Sequence, residues 1–566
     1  MNKMLFAGAA GLMVVSTLSF AKTYQTKAPA AVAGEFIVKM KSSALNKSTL
    51  SRLGNYKEVI QAEAGTFVVV NSSAKSLSAL RSMDEVEYVE PNYIYQVIKS
   101  APSLEATLAP VVTEYSSANT PNDPQYGKLW GLENTGANEP DKNGNISSNT
   151  GVKGADVNAL KAWDISKGSK KVVVAVIDTG IDWNHPDLKN QMWVNKGEIP
   201  GDGIDNDGNG YIDDVYGWNA SANNGSPMDG NAHGTHCAGT IGAEHNNGIG
   251  VAGVMADVEL MAVKFLTDSG SGSLADAIKA IDYATKMNVD IMSNSWGGGG
   301  FSQALEDSIK RANDKGIIFT AAAGNDGTNN DSAPHYPSNY QVDNVISVAS
   351  HTAQNNLSSF SCYGRNTVHV AAPGSNILSS TPNNQYKVFS GTSMATPHVT
   401  GVVGLLIAAE GRIAPKELRE RLVMTSVPSA GYRRKVVANG RVDAYNVLTN
   451  TRIPSSEPDF SGARTEVLAE TFETVHPYAS STKFSKSYSF AGAKFIKVVV
   501  EEYDLENNYD FVIFKNAAGT VVEKITGKGK NYTTDYVEGD SFTLEFTSDS
   551  SDNRWGARIK EVQVLY

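Results

Sequence analysis

The segment KVVVAVIDTG, Lys171 to Gly180, is a continuous apolar run that ends on an aspartate, a threonine and a glycine. Strands of a parallel sheet read this way, because helices cover both of their faces. Comparable Val- and Ile-rich runs follow along the chain, at 289–294, 317–322, 345–349 and 368–372. The segment therefore predicts a parallel sheet in the central part of the chain.

Amphipathic helices are predicted between these strands. Residues 273–287 place Leu274, Ile278 and Ile281 on one face, and Ser273 forms a capping box with Asp276. Residues 302–315 repeat the pattern, and a glycine ends it. The alternation predicts an α/β fold, a mostly parallel sheet with helices on both faces. Functional side chains are then expected just beyond the carboxyl ends of the strands.

Length, charge and cysteine content narrow the classes of protein. The 566 residues suggest about three or four folded units. A net charge of −11 argues against nucleic acid or an anionic membrane as a partner. With only Cys237 and Cys362, a disulfide-rich scaffold and a cysteine-rich metal site are excluded. The two cysteines can be free thiols or form one disulfide.

The N-terminus predicts export. Residues 1–21 (MNKMLFAGAAGLMVVSTLSFA) combine an early lysine, an apolar run and a small-x-small ending, which is typical of a signal peptide cut after Ala21. The apolar run is also close to the length of a membrane anchor, but its ending favours removal. We therefore expect a secreted protein without a membrane anchor after cleavage.

The rest of the chain divides into three regions and two linkers. Residues 22–99 predict a small α+β unit with a ferredoxin-like β-α-β-β-α-β order, in which one strand is not assigned. Residues 100–122 are a linker, and 123–450 form the α/β domain. A second linker, 451–466, precedes an all-β sandwich over 467–566.

Three short motifs of the central domain carry candidate catalytic residues. Asp178 ends the first strand, His233 lies in NAHGTHCAGT (231–240), and Ser393 lies in GTSMATPH (391–398), ahead of a helix predicted over 395–409. Taken singly, they are better explained as a turn or helix-cap aspartate, a structural histidine and a helix-cap serine. Together they match a catalytic triad, because a serine hydroxyl needs a base and the base needs an oriented acid. The residues alone leave His233 and His236 as alternatives for the base.

In the order Asp, His, Ser, these motifs resemble those of the subtilisin-like serine peptidases over roughly 123–450. The resemblance implies that Asp178 orients His233, that His233 is the general base, and that Ser393 is the nucleophile. It also implies that Asn325, in the loop after the strand at 317–322, donates a hydrogen bond to the oxyanion. A structural loop asparagine is the alternative for Asn325.

The resemblance also implies how a substrate binds. An extended peptide should lie between two strand edges. We expect His335 to make the pocket for the side chain that precedes the cut narrower or more polar. The candidate edge residues are Ser295, Trp296 and Gly297 on one strand, and Gly270 and Gly272 on the other.

Calcium is the expected metal. The run from 202 to 214 alternates oxygen ligands, as calcium loops do; its candidate ligands are Asp205, Asp207, Asn209 and Asp213. A true EF-hand is not expected, because the twelfth position is Tyr216 rather than glutamate. A solvated acidic loop is the alternative. The resemblance implies a second site, whose N-terminal ligand is not identified; it consists of Asp187, Asn247 and the backbone carbonyls of His245, Ile249 and Val251.

The flanking regions have resemblances of their own. VEYVEP (86–91) resembles the end of a subtilisin propeptide, which implies that 22–99 is a folding template and an inhibitor whose tail lies in the active site until it is cut. An independent binding module is the alternative. Residues 467–566 resemble a CUB domain without its usual cysteines; Glu502, Asp510 and Asp549 then correspond to calcium ligands, with plain surface charge as the alternative.

Taken together, the sequence predicts a secreted, calcium-stabilised serine endopeptidase. We expect it to be made as an autoprocessed zymogen, to act as a monomer, and to hydrolyse proteins or peptides through an acyl-enzyme. The alternative is a catalytically silent binding protein that keeps the same scaffold.

Overall fold

A computed structural model describes residues 29–41, 45–63, 65–72, 77–98, 119–148, 150–454, 458–506 and 509–566. The predicted signal peptide and most of the first predicted linker lie outside the described residues. The chain packs as two units, and the boundary between them follows Pro454.

The N-terminal region is a four-stranded antiparallel sheet with two helices. Its elements are β1 (Ala31–Met40), α1 (Lys47–Leu53), β2 (Tyr56–Ala62), β3 (Gly65–Asn71), α2 (Leu77–Arg81) and β4 (Val86–Val97). The strand order is β4-β1-β3-β2. The sequence pattern does not identify β2, because Ile60 is its one fully buried side chain and its neighbours are mostly polar.

The central region forms a large sheet with helices. Its elements are a short 3₁₀ turn (Tyr126–Lys128), α3 (Ala159–Ala162), β5 (Gly168–Asp178), β6 (Gly217–Asn219), α4 (His233–Gly242), β7 (Asp257–Lys264), β8 (Ser271–Ser273), α5 (Leu274–Lys286), β9 (Ile291–Asn294), β10 (Trp296–Gly298), α6 (Gln303–Asp314), β11 (Ile318–Ala322), β12 (Val345–His351), β13 (Val370–Pro373), β14 (Ile377–Thr381), β15 (Gln385–Phe389), α7 (Thr392–Glu410), α8 (Pro415–Thr425), β16 (Val427–Pro428), β17 (Gly440–Arg441) and α9 (Ala444–Thr449). The sheet order is β16-β17-β13-β12-β11-β9-β5-β7-β6. All of its pairs are parallel except β16 with β17.

Strand β5 separates two hydrophobic cores. Val174 and Val176 belong to one core, together with α4 and α7, whereas Ala175 and Ile177 belong to the other, together with α5 and α6. This alternation follows from the two-residue period of a strand, with apolar side chains on both faces. The predicted parallel sheet with helices on both faces is confirmed.

Helix boundaries depend on capping residues. Ser273 and Ser302 cap α5 and α6, and each accepts a hydrogen bond from a backbone amide three residues later. The predicted start of α7 was wrong, because the helix begins at Thr392, directly after Gly391, rather than at 395. Ser393 therefore lies in the first turn of α7.

Helix α7 is unusually apolar. Among the described residues it is the one helix whose length and hydropathy would allow it to cross a membrane, and 89% of its apolar window is buried inside the protein. Val399, Val402 and Leu406 pack into the first core. This central position accounts for the composition of the helix.

The C-terminal unit is rich in strands. Its elements are a 3₁₀ turn (Phe460–Gly462), β18 (Arg464–Glu473), β19 (Lys483–Ser489), β20 (Phe495–Asp504), β21 (Phe511–Asn516), β22 (Val521–Ile525), β23 (Lys528–Glu538), β24 (Ser541–Thr547) and β25 (Gly556–Leu565). Two antiparallel sheets form, in the orders β18-β25-β20-β23 and β19-β24-β21-β22. Strand β18 begins inside the stretch predicted as a linker. Six of its ten side chains are polar and six are exposed, so its sequence lacks the alternation of a half-buried strand.

Candidate active site

An aspartate and a histidine meet at the carboxyl end of β5. Nδ1 of His233 lies 2.8 Å from Oδ1 of Asp178 and 3.0 Å from Oδ2, and both side chains are buried. Burial alone lowers the pKa of His233. The charge and hydrogen bond of Asp178, together with the charge of Asp229, outweigh burial and raise the pKa. This is the geometry of a base held by its acid partner.

The chain places His233 through a strained turn. Ala232, just before it, has a φ of 96°, in the left-handed region that favours glycine. The buried carboxylate of Asp229 holds this turn by accepting hydrogen bonds from the amides of Asn231 and Ala232, at 2.8 and 3.0 Å. It also accepts from the hydroxyl groups of Thr179 and Thr235, so it links the turn to the residue after Asp178.

Ser393 lies in the first turn of α7, with its hydroxyl turned toward the neighbouring strand end. Its Oγ donates to the carbonyl oxygen of Ser295 at 3.0 Å. Nε2 of His233 is buried and has no hydrogen-bond partner among the described residues. A rotation about the Ser393 side chain is therefore needed before the base can take its proton, and such bonds commonly tighten only when substrate binds.

Asn325 follows β11 and faces the same turn. Its Oδ1 accepts hydrogen bonds from the amide and the hydroxyl of Thr392, both at 2.9 Å. Its Nδ2 lies 2.9 Å from the position that a Cβ on Gly391 would occupy. The amide is thus oriented with its donor end beside the backbone that leads into Ser393, as an oxyanion donor requires.

The second histidine of the motif has a structural role. Nε2 of His236 lies 3.0 Å from the carbonyl of Ile377, and its ring stacks on Phe389 at 4.4 Å. Burial lowers its pKa to about 3, so it stays neutral. Of the two histidines, His233 is the one that contacts Asp178.

Both cysteines are free and buried. Sγ of Cys237 lies 3.5 Å from the carbonyl oxygen of Ser393, and burial raises the pKa of its thiol well above the usual range. Cys362 instead contacts the hydroxyl of Thr328 at 3.3 Å.

Strand β4 of the N-terminal region lies in a cleft beside these residues. It pairs antiparallel with β10, where Trp296 faces Val97 and Gly297 faces Gln96. On its other side it pairs with β8, where Gly272 faces Tyr95. The amide of Val97 also donates to the carbonyl of Gly270 at 2.9 Å. The two strand edges expected to bind substrate therefore hold a segment of the same chain.

The His335 ring stands between two glycines near this cleft. A Cβ on Gly297 would lie 2.1 Å from Cε1 of the ring, and one on Gly324 would lie 3.0 Å from Cδ2. Burial lowers the pKa of His335 to about 4, although the charge of Asp326 opposes this. The ring is therefore a neutral, polar group that fills space between the two backbones.

Buried carboxylates mark one candidate calcium site. Asp187 accepts hydrogen bonds from Nδ2 of Asn247, the amide of Val251 and the hydroxyl of Tyr386, at 2.8 to 3.0 Å. Asp123 joins the same loop by accepting from the amide of Asn247 at 3.3 Å. Burial, reinforced by the charge of Asp187, raises the pKa of Asp123 to about 6.

Two buried acids whose hydrogen-bond partners are amides and hydroxyls suit a divalent cation. Sequence reasoning missed Asp123, the N-terminal acid of this site, because a lone aspartate between an asparagine and a proline carries no spacing signal. Ile249, whose carbonyl was a candidate ligand, donates its amide to Oδ1 of Asn247 at 2.9 Å.

A second acidic cluster forms in the loop after residue 197. Oxygens of Glu198, Asp205 and Asp207 lie within 4.8 Å of one another. Asn209 lies beside them, and its Nδ2 donates to Asp207 at 3.2 Å. The carboxylate of Glu198 accepts hydrogen bonds from the loop amides of Asn206, Asp207 and Asp213, at 2.8 to 3.2 Å. The sequence did not indicate Glu198, because it lies upstream of the acidic run.

Asp213 does not join this cluster. Its two carboxylate oxygens accept from the amides of Gly201 and Gly203, at 2.7 and 3.1 Å, and its φ is 56°. Its carboxylate caps the turn at Gly201 and Gly203, outside the group formed by Glu198, Asp205 and Asp207, so the structure gives its expected role as a ligand no support.

The C-terminal unit holds a third cluster, in which Glu506 rather than Glu502 accompanies Asp510 and Asp549. Glu502 lies within β20 and forms an ion pair with Lys530 at 2.8 Å, so its expected role was wrong. Glu506 lies beyond the end of that strand, and its buried Oε2 has no hydrogen-bond partner among the described residues. Asp510 is fully buried and accepts from the amide of Asp549 at 2.8 Å.

Comparisons with known proteins agree with this geometry. The model of the subtilase family matches residues 169–453. Thermitase from Thermoactinomyces vulgaris is 40% identical over 292 residues, which cover 52% of this chain and 93% of thermitase. Thermophilic serine proteinase from Bacillus sp. (strain AK1) is 34% identical over 374 residues, 66% of this chain and 75% of that protein. Halolysin from Haloferax mediterranei is 31% identical over 408 residues, 70% of this chain and 65% of halolysin.

The match covers the strand that ends at Asp178, the helix that begins at His233 and the helix that carries Ser393. Cys237, one turn after His233 in α4, lies 3.5 Å from the carbonyl oxygen of Ser393, so the helix of the base contacts the turn of the serine. A silent binding protein would have no need of this arrangement. The chain belongs to the subtilase family and is a serine endopeptidase with an Asp, His, Ser triad.

Proposed function

We propose that this protein is a secreted, calcium-stabilised endopeptidase that is made as a zymogen and removes its own N-terminal region. Asp178, His233 and Ser393 are the proposed triad, and Asn325 is the proposed oxyanion donor. The observation that carries the proposal is the 2.8 Å contact between His233 and Asp178 at the start of α4, the helix whose Cys237 lies 3.5 Å from the carbonyl oxygen of Ser393.

The reaction starts when Oγ of Ser393 leaves the carbonyl of Ser295 and gives its proton to Nε2 of His233. Oγ attacks the substrate carbonyl, and Asp178 stabilises the imidazolium that forms. The amide of Ser393, at the amino end of α7, and Nδ2 of Asn325 donate to the oxyanion. His233 then protonates the leaving amine, and an activated water releases the acyl group by the reverse route.

The N-terminal region is the proposed inhibitor. Its strand order, β4-β1-β3-β2 with two helices, supports the ferredoxin-like arrangement expected of a propeptide. Strand β4 occupies both edges of the cleft, so a substrate cannot bind until this strand leaves. Glu90 strengthens the contact, because its carboxylate accepts from the hydroxyl of Ser302 and the amides of Gln303 and Ala304 at the start of α6.

Calcium is proposed at three clusters of oxygen ligands. The first holds Asp123, Asp187 and Asn247, with the loop through Ile249 and Val251. The second holds Glu198, Asp205, Asp207 and Asn209, and the third Glu506, Asp510 and Asp549. A bound cation would neutralise carboxylates that otherwise repel one another and would fix the loops that carry them.

The pocket for the residue before the cut is proposed to be narrow and polar. The neutral ring of His335 occupies the space between Gly297 and Gly324, which leaves little depth for a large aromatic side chain. A peptide library should therefore show preference for small or medium-sized side chains there.

Secretion, a monomeric state and a CUB-like C-terminal domain complete the proposal. The sequence of residues 1–21 supports export, and the extracellular setting suits calcium loops. The two four-stranded sheets of the C-terminal unit support a β-sandwich.

The test is expression of the full chain with Ser393→Ala. The parent should lose its N-terminal region, hydrolyse peptides and react with a serine-directed phosphonate. The variant should remain a full-length precursor without label. Ser332→Ala, at an exposed loop serine, is the matched control and should behave as the parent does. Normal processing and labelling in Ser393→Ala would contradict the proposal.

A further inference from the structure

The register of β4 assigns a position to each of its side chains in the cleft. Trp296 faces Val97, so the next residue, Ile98, comes opposite Ser295, whose carbonyl accepts the hydroxyl of Ser393. Ile98 is therefore the first residue before a cut at this site. Counting back along the strand, Tyr95 is the fourth residue and Tyr93 is the sixth.

The fourth residue lies in an enclosed pocket. The Tyr95 side chain is fully buried, and its ring packs edge-on against Trp296 with centroids 5.3 Å apart. The Tyr93 ring instead lies against the backbone of Gly300, which has no side chain. A Cβ on Gly300 would lie 3.1 Å from Cζ and 3.2 Å from the hydroxyl oxygen of Tyr93. One on Gly299 would lie 3.0 Å from Cε1 and Cζ of the Tyr95 ring and 3.2 Å from Cβ of Tyr93, so Gly299 separates the two rings.

Four consecutive glycines, 297 to 300, form this surface. Gly298 and Gly299 have φ values of 118° and 62°, so their backbone alone favours glycine. Gly297 and Gly300 have ordinary φ values, and any residue could adopt their backbone. The need for space beside an aromatic ring explains glycine at both positions. The His335 ring fills the space beside Gly297, and the Tyr93 ring covers Gly300. Pro29 of the N-terminal region also contacts the Cβ position of Gly300, at 3.1 Å.

Aromatic side chains flank the glycine run. The amide of Gly298 donates to the carbonyl of Tyr336 at 3.1 Å. Phe301, which follows Gly300, packs against Tyr336 and Tyr340 with ring centroids 5.7 Å apart, and it is 49% exposed. The surface next to Gly300 is thus apolar and open to a ligand.

We propose that the backbone at Gly300, next to Gly299, forms a ring shelf, a binding site for an aromatic side chain at the sixth substrate residue before the cut. This inference rests on the proposed function, since it treats β4 as a guide to substrate binding. The preferred substrates are then extended peptides with an aromatic residue at the sixth position before the cut. This residue lies two positions before the fourth residue, whose side chain packs against Trp296 as that of Tyr95 does.

The test is a double-mutant cycle between enzyme and substrate. The substrates are two internally quenched peptides, one with the sequence of residues 93–102 (YIYQVIKSAP) and one with alanine in place of its first tyrosine. The enzymes are the parent and Gly300→Ala, each after processing. The Gly300→Ala precursor also carries Tyr93→Ala, which removes the clashing ring from the segment that is cut off.

We expect the parent to cleave the tyrosine peptide with a kcat/KM roughly fivefold to tenfold above that of the alanine peptide, the range for a well-placed aromatic contact. Gly300→Ala should lower the rate for the tyrosine peptide to that for the alanine peptide and leave the alanine peptide unchanged. That unchanged rate also reports intact folding.

Equal cleavage of both peptides by the parent would overturn the ring shelf and leave the peptidase proposal standing. An equal loss on both peptides in Gly300→Ala would also overturn it. If the parent cleaves neither peptide and no phosphonate labels it, the proposed function fails and the ring shelf fails with it.

Discussion

Single residues set the protonation state of the base. Asp178 and Asp229 are both buried near His233, and their charges outweigh the effect of burial on its pKa. The motifs predicted Asp178 and a histidine of 231–240 at one site, but only the family resemblance selected His233 over His236. The motifs gave no indication of Asp229, whose role depends on the left-handed turn at Ala232.

Replacing the acid partner should remove most of the activity. Asp178→Asn keeps the shape of the side chain but favours the wrong tautomer of His233, so kcat should fall by roughly 10⁴. Steady-state hydrolysis of a peptide substrate measures this loss. Asp343→Asn, which changes an exposed carboxylate paired with Arg419, is the control and should keep full activity. A loss of less than tenfold would speak against Asp178 as the acid partner.

The pH dependence should follow the raised pKa of His233. The base must be neutral to accept a proton, so kcat/KM should fall as pH drops through a pKa that lies above the ordinary value of 6.5. Asp229→Asn removes one of the charges that raise this pKa, and the acidic limb should move to lower pH. A pH–rate profile that does not move in Asp229→Asn, while the variant stays folded, would refute this account.

At the scale of elements, the buried strands and amphipathic helices could be predicted, whereas exposed strands and converging loops could not. The apolar β5 and the capped α5 follow from local patterns. Strands β2 and β18 did not, since most of their side chains are polar. Glu198 was missed because it lies upstream of the acidic run, and Glu506 because it lies in the loop between Glu502 and Asp510. Only the folded backbone shows that their carboxylates meet those of the other acidic residues.

The loops around Asp187 and Glu198 should depend on calcium. Chelation should lower the melting temperature by about 5 °C or more, since a ligand that binds only the native state stabilises it by mass action. Calorimetry on the Ser393→Ala precursor avoids self-digestion. Asp187→Asn combined with Glu198→Gln should shrink the effect of EDTA. An unchanged melting temperature after chelation would argue against calcium at both loops.

At the scale of the molecule, the chemistry lies within one of the two units. The triad, both strand edges of the cleft and the first two acidic clusters all precede Pro454, whereas the strands after it enclose a hydrophobic core of their own. The sequence indicated this division through the change from α/β alternation to strands alone. A unit with its own core can fold independently.

A chain that stops after Pro454 should therefore remain a peptidase. We expect it to process its N-terminal region and to hydrolyse a short peptide with a kcat/KM within about twofold of the parent, because no residue of the proposed site is removed. The same truncation with Ser393→Ala controls for contaminating proteases. Circular dichroism shows whether the truncated chain folds. A truncated chain that folds but does not process itself would mean that the strands after Pro454 are needed for activity. The proposal that the first unit carries the whole active site would then be wrong.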